Sequence, residues 1–252
     1  MRETIVFIHG LTGSKQAFRK QIAYLADSYN TYVYDLLGHG EDRGKAVDFT
    51  LKNLVKQLED FFEEKGIERA HICSLSYGCY PSTIFANKWQ DKVLSLCFIG
   101  GHYNSPSPLR DIFQQYWDCR NEPYPLWLKK YSHAIYPKDG LIDPYSIVSN
   151  KVYYKYGLEL HKDILRDALE HRLNYDLRSD LASLTLPVLW VMGDHDSLYK
   201  SSLRDLDQVI PHVVYSELKH AGHAANLFQP NCFKEVYGVF LGDFSSVNPR
   251  YA

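Results

Sequence analysis

The stretch "ICSLSYGC", residues 72–79, contains side chains that could do chemistry. It places three hydroxyl or thiol groups, Cys73, Ser74 and Ser76, between an apolar run and a helical pattern. A serine at such a junction has two common roles. It can be the N-cap, whose side chain accepts a hydrogen bond from the first turn of the helix. It can also be the nucleophile of a tight strand-to-helix turn, where its hydroxyl is exposed for attack on a carbonyl.

The spacing of small residues favours Ser76 as a nucleophile. In a nucleophile elbow the backbone and side chains approach so closely that the residues two before and two after the serine must be small. Ser76 has Ser74 and Gly78 at those positions, whereas Ser74 would have the bulky Ile72. The resulting pattern, S-x-S-x-G, is less specific than G-x-S-x-G. A serine hydroxyl also needs an adjacent base, so the N-cap interpretation stays open at this point.

Composition is typical of a globular protein and argues against several partners. The chain has 252 residues, of which 45% are hydrophobic. A formal net charge of −2 predicts no strong field, which argues against nucleic acid. No apolar run reaches the ~18 residues of a membrane span, and the apolar part of the N-terminus is too short for a signal peptide. Five scattered cysteines without a C-x-x-C pair favour a reducing cytoplasm.

Strand and helix patterns alternate along most of the chain. β-Branched and aromatic runs predict strands at 4–10, 31–40, 70–76, 92–101, 186–194 and 212–218. Apolar periodicity predicts helices at 15–28, 50–66, 77–89, 202–210 and 224–240. This alternation predicts an α/β fold with a mostly parallel sheet of about six strands and helices on both faces.

The turns that follow the strands contain most of the unusual polar residues. Right-handed crossovers place the C-terminal ends of parallel strands at one edge of the sheet, where ligands bind in open α/β sheets. The turns are "IHGLTG", "YDLLGHG", "CSLSYG", "IGGH", "MGDHD" and "LKHAGH". We therefore expect the functional site at this edge.

The alternation stops between Tyr103 and Arg178, where only helical patterns occur. We predict an all-helical insert, residues 102–179, and a core domain made of residues 1–101 and 180–252. The insert leaves and rejoins the sheet at the site edge, so it would cover the site as a cap and shape its specificity. The expected substrate-binding side chains are its aromatic residues Trp117, Trp127 and Tyr131. The alternative is that these residues only pack the insert onto the sheet.

Five stretches, in the right order, resemble motifs of the α/β-hydrolase superfamily. "FIHGLTGS" resembles its oxyanion loop, "YDLLGHGED" the turn after the next strand, "CSLSYG" the elbow, "MGDHDSLY" the acid loop and "KHAGHAANLFQP" the histidine loop. The likeness covers almost the whole chain and is to serine esterase-like members with a helical cap. It implies a catalytic triad of Ser76, Asp196 and His223, with Asp194 at the other acidic position of its loop.

The resemblance also implies a mechanism. His223 would take the proton of Ser76 and return it to the leaving group, while Asp196 holds the imidazole. Backbone N–H groups of Leu11 and Tyr77 would hold the oxyanion. In two respects the sequence departs from the family: Ser74 replaces the usual glycine, and the first antiparallel strands of the family look absent.

The remaining polar residues of the turns have structural explanations. His9, His39 and Asp35 are expected to shape loops by hydrogen bonding. His195 and His220, with Asp194, could suggest a metal site, but loops rather than one helix carry them, and the triad already accounts for His223. We therefore predict no metal and no cofactor.

A serine with a histidine base indicates hydrolysis of a carboxylic ester, thioester or lactone through an acyl-enzyme. The substrate would be a small, largely apolar molecule, and no protein partner is implied. Ser76 at the elbow excludes the aspartate nucleophile of dehalogenases and epoxide hydrolases of this fold. Two alternatives stay open, namely C–C bond hydrolysis by the same triad and a small-molecule receptor with slow turnover.

Overall fold

The computed structural model describes residues 2–137 and 144–244. Six parallel strands form one sheet in the order β2-β1-β3-β4-β5-β6. They are β1 (Thr4–Ile8), β2 (Asn30–Tyr34), β3 (Ala70–Leu75), β4 (Val93–Ile99), β5 (Val188–Gly193) and β6 (Val214–Leu218). Every predicted strand is present. All but β6 end before their predicted limit, because the turn residues that follow them have left the sheet.

Helices cover both faces of the sheet and fill the predicted insert. Outside the insert lie α1 (Arg19–Leu25), α2 (Leu51–Glu64), α3 (Cys79–Lys88), α9 (Ser197–Lys200), α10 (Leu206–Val209), α11 (Ala225–Phe228) and α12 (Pro230–Phe244). Between β4 and β5 lie α4 (Pro108–Asp118), α5 (Tyr124–Ile135), α6 (Pro144–Gly157), α7 (Lys162–Asn174) and α8 (Arg178–Ala182). In the described part of the chain, no helix has the length and apolar character needed to cross a membrane.

Three helix predictions need correction. The helix predicted at 224–240 is two helices, α11 and α12, with a break at Gln229 (φ −124°, ψ 64°). Pro230 causes the break, because a proline disfavours the helical conformation of the residue before it and cannot donate a backbone hydrogen bond. The helix predicted at 202–210 is a 3₁₀ turn, Ser201–Leu203, followed by the short α10; likewise, the helix predicted at 15–28 begins as a 3₁₀ turn, Lys15–Phe18, before α1.

The sheet is buried on both faces, which explains why its strands are almost continuously apolar. Successive residues point to opposite faces, so Ile72 packs on the side of α2 and α3 while Cys73 packs on the side of α1 and α12. The apolar cluster on the α2 and α3 side continues into the helical insert. The insert is thus attached to the sheet through a shared core.

Polar contacts also join the insert to the core at the site edge. The Tyr77 hydroxyl and His171 Nδ1 of α7 form a hydrogen bond of 2.6 Å. Arg43, after β2, forms an ion pair with Glu159 at 2.6 Å. Because Tyr77 lies in the turn after β3, the insert contacts the very turn in which Ser76 lies.

Candidate active site

Ser76 lies in a strained turn directly after β3. It is the first residue of a 3₁₀ turn, Ser76–Gly78, and its φ is +51°. Left-handed backbone costs a non-glycine residue about 1–2 kcal/mol, so surrounding contacts must hold this conformation in place. An N-cap residue has extended backbone instead. The N-cap interpretation of Ser76 is therefore wrong.

The small residues around Ser76 are required by close backbone approach. A Cβ added to Gly78 would lie 2.9 Å from the Ile8 carbonyl oxygen, 3.0 Å from that of His9 and 3.2 Å from Ser74 Cβ. A larger side chain at position 74 or at position 78 would push β3 away from the end of β1. The Ser74 hydroxyl is buried, and it has no hydrogen-bond partner in the described part of the chain.

Ser76, His223 and Asp196 form a continuous chain of hydrogen bonds. His223 Nε2 lies 2.7 Å from Ser76 Oγ, and His223 Nδ1 lies 2.7 Å from Asp196 Oδ2. The three side chains come from the turns after β3, β6 and β5, and each residue is at most 8% exposed. The geometry suits a serine that donates to a neutral imidazole, whose other N–H donates to the carboxylate.

Asp194 ties the acid loop to the histidine loop. Its Oδ1 accepts a hydrogen bond from the Ala221 backbone N–H at 3.0 Å, and the His195 N–H donates to the Ala221 carbonyl at 3.0 Å. Burial acts to raise the pKa of Asp194, but the backbone N–H groups of Ala221 and His220 outweigh it and lower the pKa below its ordinary value. Asp194 is thus held as an anion that braces the loop of His223.

Two tyrosines that the sequence did not single out pack against the His223 ring. The Tyr199 ring centroid lies 3.8 Å from that of His223, and the Tyr136 centroid lies 5.7 Å away. Both tyrosines are buried. Tyr199 is three residues after Asp196, so its closeness to the acid loop was readable from the sequence. Its packing on the histidine was not, because that contact depends on how the two loops meet.

His9, His39 and Asp35 make the loop contacts expected of them. His9 Nδ1 donates to the Gly10 carbonyl at 2.8 Å, and His9 Nε2 accepts from the Leu36 N–H at 3.0 Å. Asp35 accepts a hydrogen bond from the Lys15 N–H at 2.6 Å. Burial lowers the pKa of His9 to about 4 and that of His39 to about 3, so both rings are neutral near pH 7.

A cavity of about 330 Å³ opens beside Ser76. The turn after β1, α6 and α11 enclose it, and its apolar or aromatic lining includes Leu11, Val148, Val152, Tyr153, Leu227 and Phe228. A second cavity, of about 350 Å³, lies against Asp194 and Asp196, and the two share Tyr136, Ser149 and His223. Leu11 lines the same cavity as Ser76, and Tyr77 directly follows Ser76 in the chain. The role of their backbone N–H groups stays a prediction.

The expected substrate-binding residues Trp117, Trp127 and Tyr131 do not line the cavity at Ser76. Trp127 and Tyr131 are fully buried, stack with ring centroids 5.1 Å apart, and pack within the insert. Trp117 lies against the Arg120 guanidinium, 4.0 Å from ring centroid to Cζ. Trp127 and Tyr131 are thus part of the core of the insert, and substrate binding by the three residues stays a prediction.

Besides Tyr136, the insert residues that line the cavity share one face of α6. Val148, Val152 and Tyr153, with Ser149, recur at helical spacing. Ala224, Leu227 and Phe228 of the α11 region have the same spacing and also line the cavity. Periodicity could have identified these faces, but it does not indicate which of two faces turns towards Ser76.

No group of three or more histidine, cysteine, aspartate or glutamate side chains that could hold a metal ion occurs in residues 2–137 and 144–244. Asp194 and His195 lie 3.7 Å apart. Asp194 instead serves the loop contact described above.

We predict that Asp196→Asn and Asp194→Asn differ in the kind of damage they cause. Asparagine at 196 favours the wrong imidazole tautomer, so kcat should fall by about 10⁴-fold with little change in melting temperature. Asparagine at 194 can still accept the Ala221 hydrogen bond, so kcat should fall far less. Steady-state kinetics and thermal unfolding of both variants test this. A larger loss of kcat in Asp194→Asn would reverse the two assignments.

We predict that Gly100→Ala displaces His223. Gly100 has φ +58°, and an added Cβ would lie 2.6 Å from the His223 carbonyl oxygen and 3.0 Å from Cε1. A displacement of this size should lower kcat by about 10²-fold. The matched control is Gly238→Ala on α12, where an added Cβ meets nothing within 4 Å. Equal kcat values for the two variants would contradict the prediction.

Comparison with known proteins places the chain in a family. Residues 3–230 match the model of the alpha/beta hydrolase fold family. A protein of Pantoea ananatis (strain LMG 20103) named as carbamate hydrolase RutD is 23% identical over 241 residues, covering 93% of this chain and 86% of that protein. The uncharacterized carboxylesterase nap of Bacillus subtilis (strain 168) is 23% identical over 258 residues, covering 92% and 76%.

The likeness extends to the three-dimensional fold. The crystal structure of the enol-lactonase from Burkholderia xenovorans LB400 superposes with a TM-score of 0.77 at 20% identity, covering 96% of this chain and 92% of that one. The resemblance and the fold predicted from the sequence are confirmed: the chain belongs to the alpha/beta hydrolase fold family.

Proposed function

We propose that the protein is a serine hydrolase of the carboxylesterase type, which cleaves a carboxylic ester, thioester or lactone through an acyl-enzyme. The hydrogen-bonded chain from Asp196 through His223 to Ser76, beside an apolar cavity, carries this proposal. The comparisons support it, because the two relatives are named for carbamates and carboxylic esters and the structural neighbour for an enol-lactone. In all of these a carbonyl carbon is bonded to a heteroatom leaving group.

Acylation begins when Ser76 Oγ attacks the carbonyl carbon of the substrate. The hydroxyl proton passes to His223 Nε2, and the carbonyl π electrons move onto the oxygen, which becomes an oxyanion. Asp196 holds the Nδ1–H and stabilises the imidazolium. The N–H groups of Leu11 and Tyr77 donate to the oxyanion, each contributing about 10²–10³ in rate. When the oxyanion collapses, the bond to the leaving group breaks and the leaving group takes the proton from His223.

Deacylation repeats these steps with water as the nucleophile. Water gives a proton to His223 Nε2 as its oxygen bonds to the acyl carbon. Collapse of the second tetrahedral intermediate breaks the bond to Ser76 Oγ, which recovers the proton from His223. The net reaction consumes one water and releases the acid and the alcohol or thiol, or one hydroxy acid from a lactone.

We further propose that the helical insert is a cap (lid) subdomain, residues 102–179, on a core of residues 1–101 and 180–252. Val148 and Val152 of α6 and Leu227 of α11 line the cavity with apolar surface. Such a surface suits a small, largely apolar substrate. A cytoplasmic location is part of the proposal, since all five cysteines are free thiols.

The test of the proposed nucleophile compares Ser76→Ala with Ser74→Ala. A fluorophosphonate probe should label wild-type protein on Ser76, as located by peptide mass spectrometry. Ser76→Ala should lose labelling and lower kcat by about 10⁶-fold. Ser74→Ala is the matched control, because the Ser74 hydroxyl has no hydrogen-bond partner in the described structure. Label on Ser74, or undiminished turnover of Ser76→Ala, would overturn the proposal.

A turnover measurement separates this function from its alternatives. With p-nitrophenyl esters of different acyl length, an enzyme should reach about 1–10³ s⁻¹ on its best substrate. A receptor would show single-turnover labelling with far slower release. A C–C bond hydrolase would cleave vinylogous diketones in preference to every ester of the panel.

We predict that Leu227 contributes to acyl-length preference. Leu227→Ala removes apolar wall from the cavity, and a methylene contact contributes about 1–3 kcal/mol of discrimination. The variant should therefore shift its preference among p-nitrophenyl esters by about tenfold towards longer or bulkier acyl chains. Leu126→Ala is the matched control, because Leu126 is similarly exposed (47% against 44%) but does not line the cavity. An unchanged length profile in Leu227→Ala would contradict this.

A further inference from the structure

Arg172 of α7 is a buried cation without a carboxylate partner among the described residues. The Arg172 residue is only 2% exposed. By contrast, the arginines before and after it in the chain, Arg166 and Arg178, form ion pairs with Asp163 and Asp205. A buried charge without a partner is costly. A residue that retains such a charge is therefore a candidate for binding an anion that the protein itself does not supply.

Aromatic rings surround the Arg172 guanidinium. One nitrogen, Nη1, donates to the Tyr131 hydroxyl at 2.9 Å, and Nε is buried without a hydrogen-bond partner in the described structure. The guanidinium carbon lies 5.4 Å from the Tyr77 ring centroid and 5.0 Å from that of Phe113. Cation–π contacts of this kind stabilise the cation but leave its charge uncompensated.

The neighbouring phenols do not neutralise this charge. Burial raises the pKa of Tyr131 above its ordinary value and that of Tyr153 well above it, although the Arg172 charge acts in the opposite direction on both. The phenols therefore stay protonated near pH 7.

Tyr153 and Tyr77 connect this cation to the cavity at Ser76. Tyr153 lines the cavity and packs edge-on against Tyr131, with ring centroids 6.2 Å apart. Its hydroxyl is buried and has no hydrogen-bond partner in the described part of the chain. Tyr77 directly follows Ser76. The positive charge thus lies behind one wall of an otherwise apolar cavity, where low dielectric strengthens its field.

We propose that the cavity selects an acyl group whose apolar stem ends in a carboxylate. The Tyr153 hydroxyl donates a hydrogen bond to that carboxylate, and the Arg172 guanidinium supplies the charge that attracts it. This deepens the proposed function and rests on it, because the group concerned is the one transferred to Ser76. The substrate class is then a monoester or monothioester of a short dicarboxylic acid, or a lactone of a short hydroxydicarboxylic acid.

The experiment compares two esters of the same shape and different charge. They are the mono-p-nitrophenyl ester of glutaric acid and its neutral carboxamide isostere, p-nitrophenyl glutaramate. Wild-type protein should favour the charged ester by about tenfold in kcat/KM, as expected for opposite charges several ångströms apart at intermediate dielectric. Arg172→Met should abolish the preference, Arg172→Lys should retain most of it, and Tyr153→Phe should lower the ratio of kcat/KM for the charged ester to kcat/KM for the neutral ester.

Several outcomes would overturn the inference. One is a wild-type preference for the neutral ester. Another is an equal loss of kcat/KM for both esters in Arg172→Met, which would mean that Arg172 stabilises the oxyanion or the fold rather than the substrate carboxylate. If Arg172→Met fails to fold, Tyr153→Phe still decides, because it removes a single hydroxyl without a partner. An unchanged preference in that variant contradicts the proposal.

A binding measurement on Ser76→Ala protein separates this inference from the proposed function. Glutarate should raise its melting temperature, whereas the neutral diamide glutaramide should not, and Arg172→Met in the same background should remove the difference. If no ester is turned over but glutarate binds in this way, the proposed function fails and the anion subsite stands. If esters are hydrolysed and glutarate has no greater effect than glutaramide, the subsite is wrong.

Discussion

The hydrogen bond between Ser76 Oγ and His223 Nε2 is the contact on which the rest of the site depends. It joins residues 147 positions apart in the chain at 2.7 Å. The serine reaches it only from a left-handed turn, which needs Gly78 against the end of β1. The hydrogen bond from the Ala221 N–H to Asp194 joins the loop of the histidine to the acid loop. The left-handed turn is unfavourable by itself, and the contact between the two loops needs a specific geometry. The rigid sheet beneath holds both arrangements in place.

The parallel sheet explains why three turns from distant parts of the sequence can meet. All six strands run the same way, so the turns after β3, β5 and β6 lie at one edge. Apolar clusters bury both faces, which fixes strand positions to within the tolerance that the triad needs. The strain at Ser76, about 1–2 kcal/mol, is small compared with the burial of two such clusters.

The helical insert combines stability with the properties of the cavity. Its core of stacked aromatic residues, including Trp127 and Tyr131, is continuous with the core above the sheet. One face of α6 forms apolar wall beside Ser76. The Arg172 guanidinium contacts Tyr131, which packs the insert, and Tyr77, which follows Ser76. Packing of the insert and the electrostatics of the cavity therefore share side chains, and a change in one is expected to alter the other.

Interactions between residues close together in the chain determine the secondary structure and part of the site, so the sequence alone could predict these features. Strand runs and helix periodicity depend on neighbours in the chain, so all six strands and the helical insert could be predicted. The choice of Ser76 over Ser74 followed from steric limits within five residues, and the order of five motifs led to Asp196 and His223. Only the tertiary structure decided the rest: that Trp127 and Tyr131 face inwards, that Val152 and Leu227 border the cavity, and that no carboxylate of residues 2–137 and 144–244 pairs with Arg172. These facts depend on which faces of separate helices meet, and contacts between distant residues leave no periodic trace in the sequence.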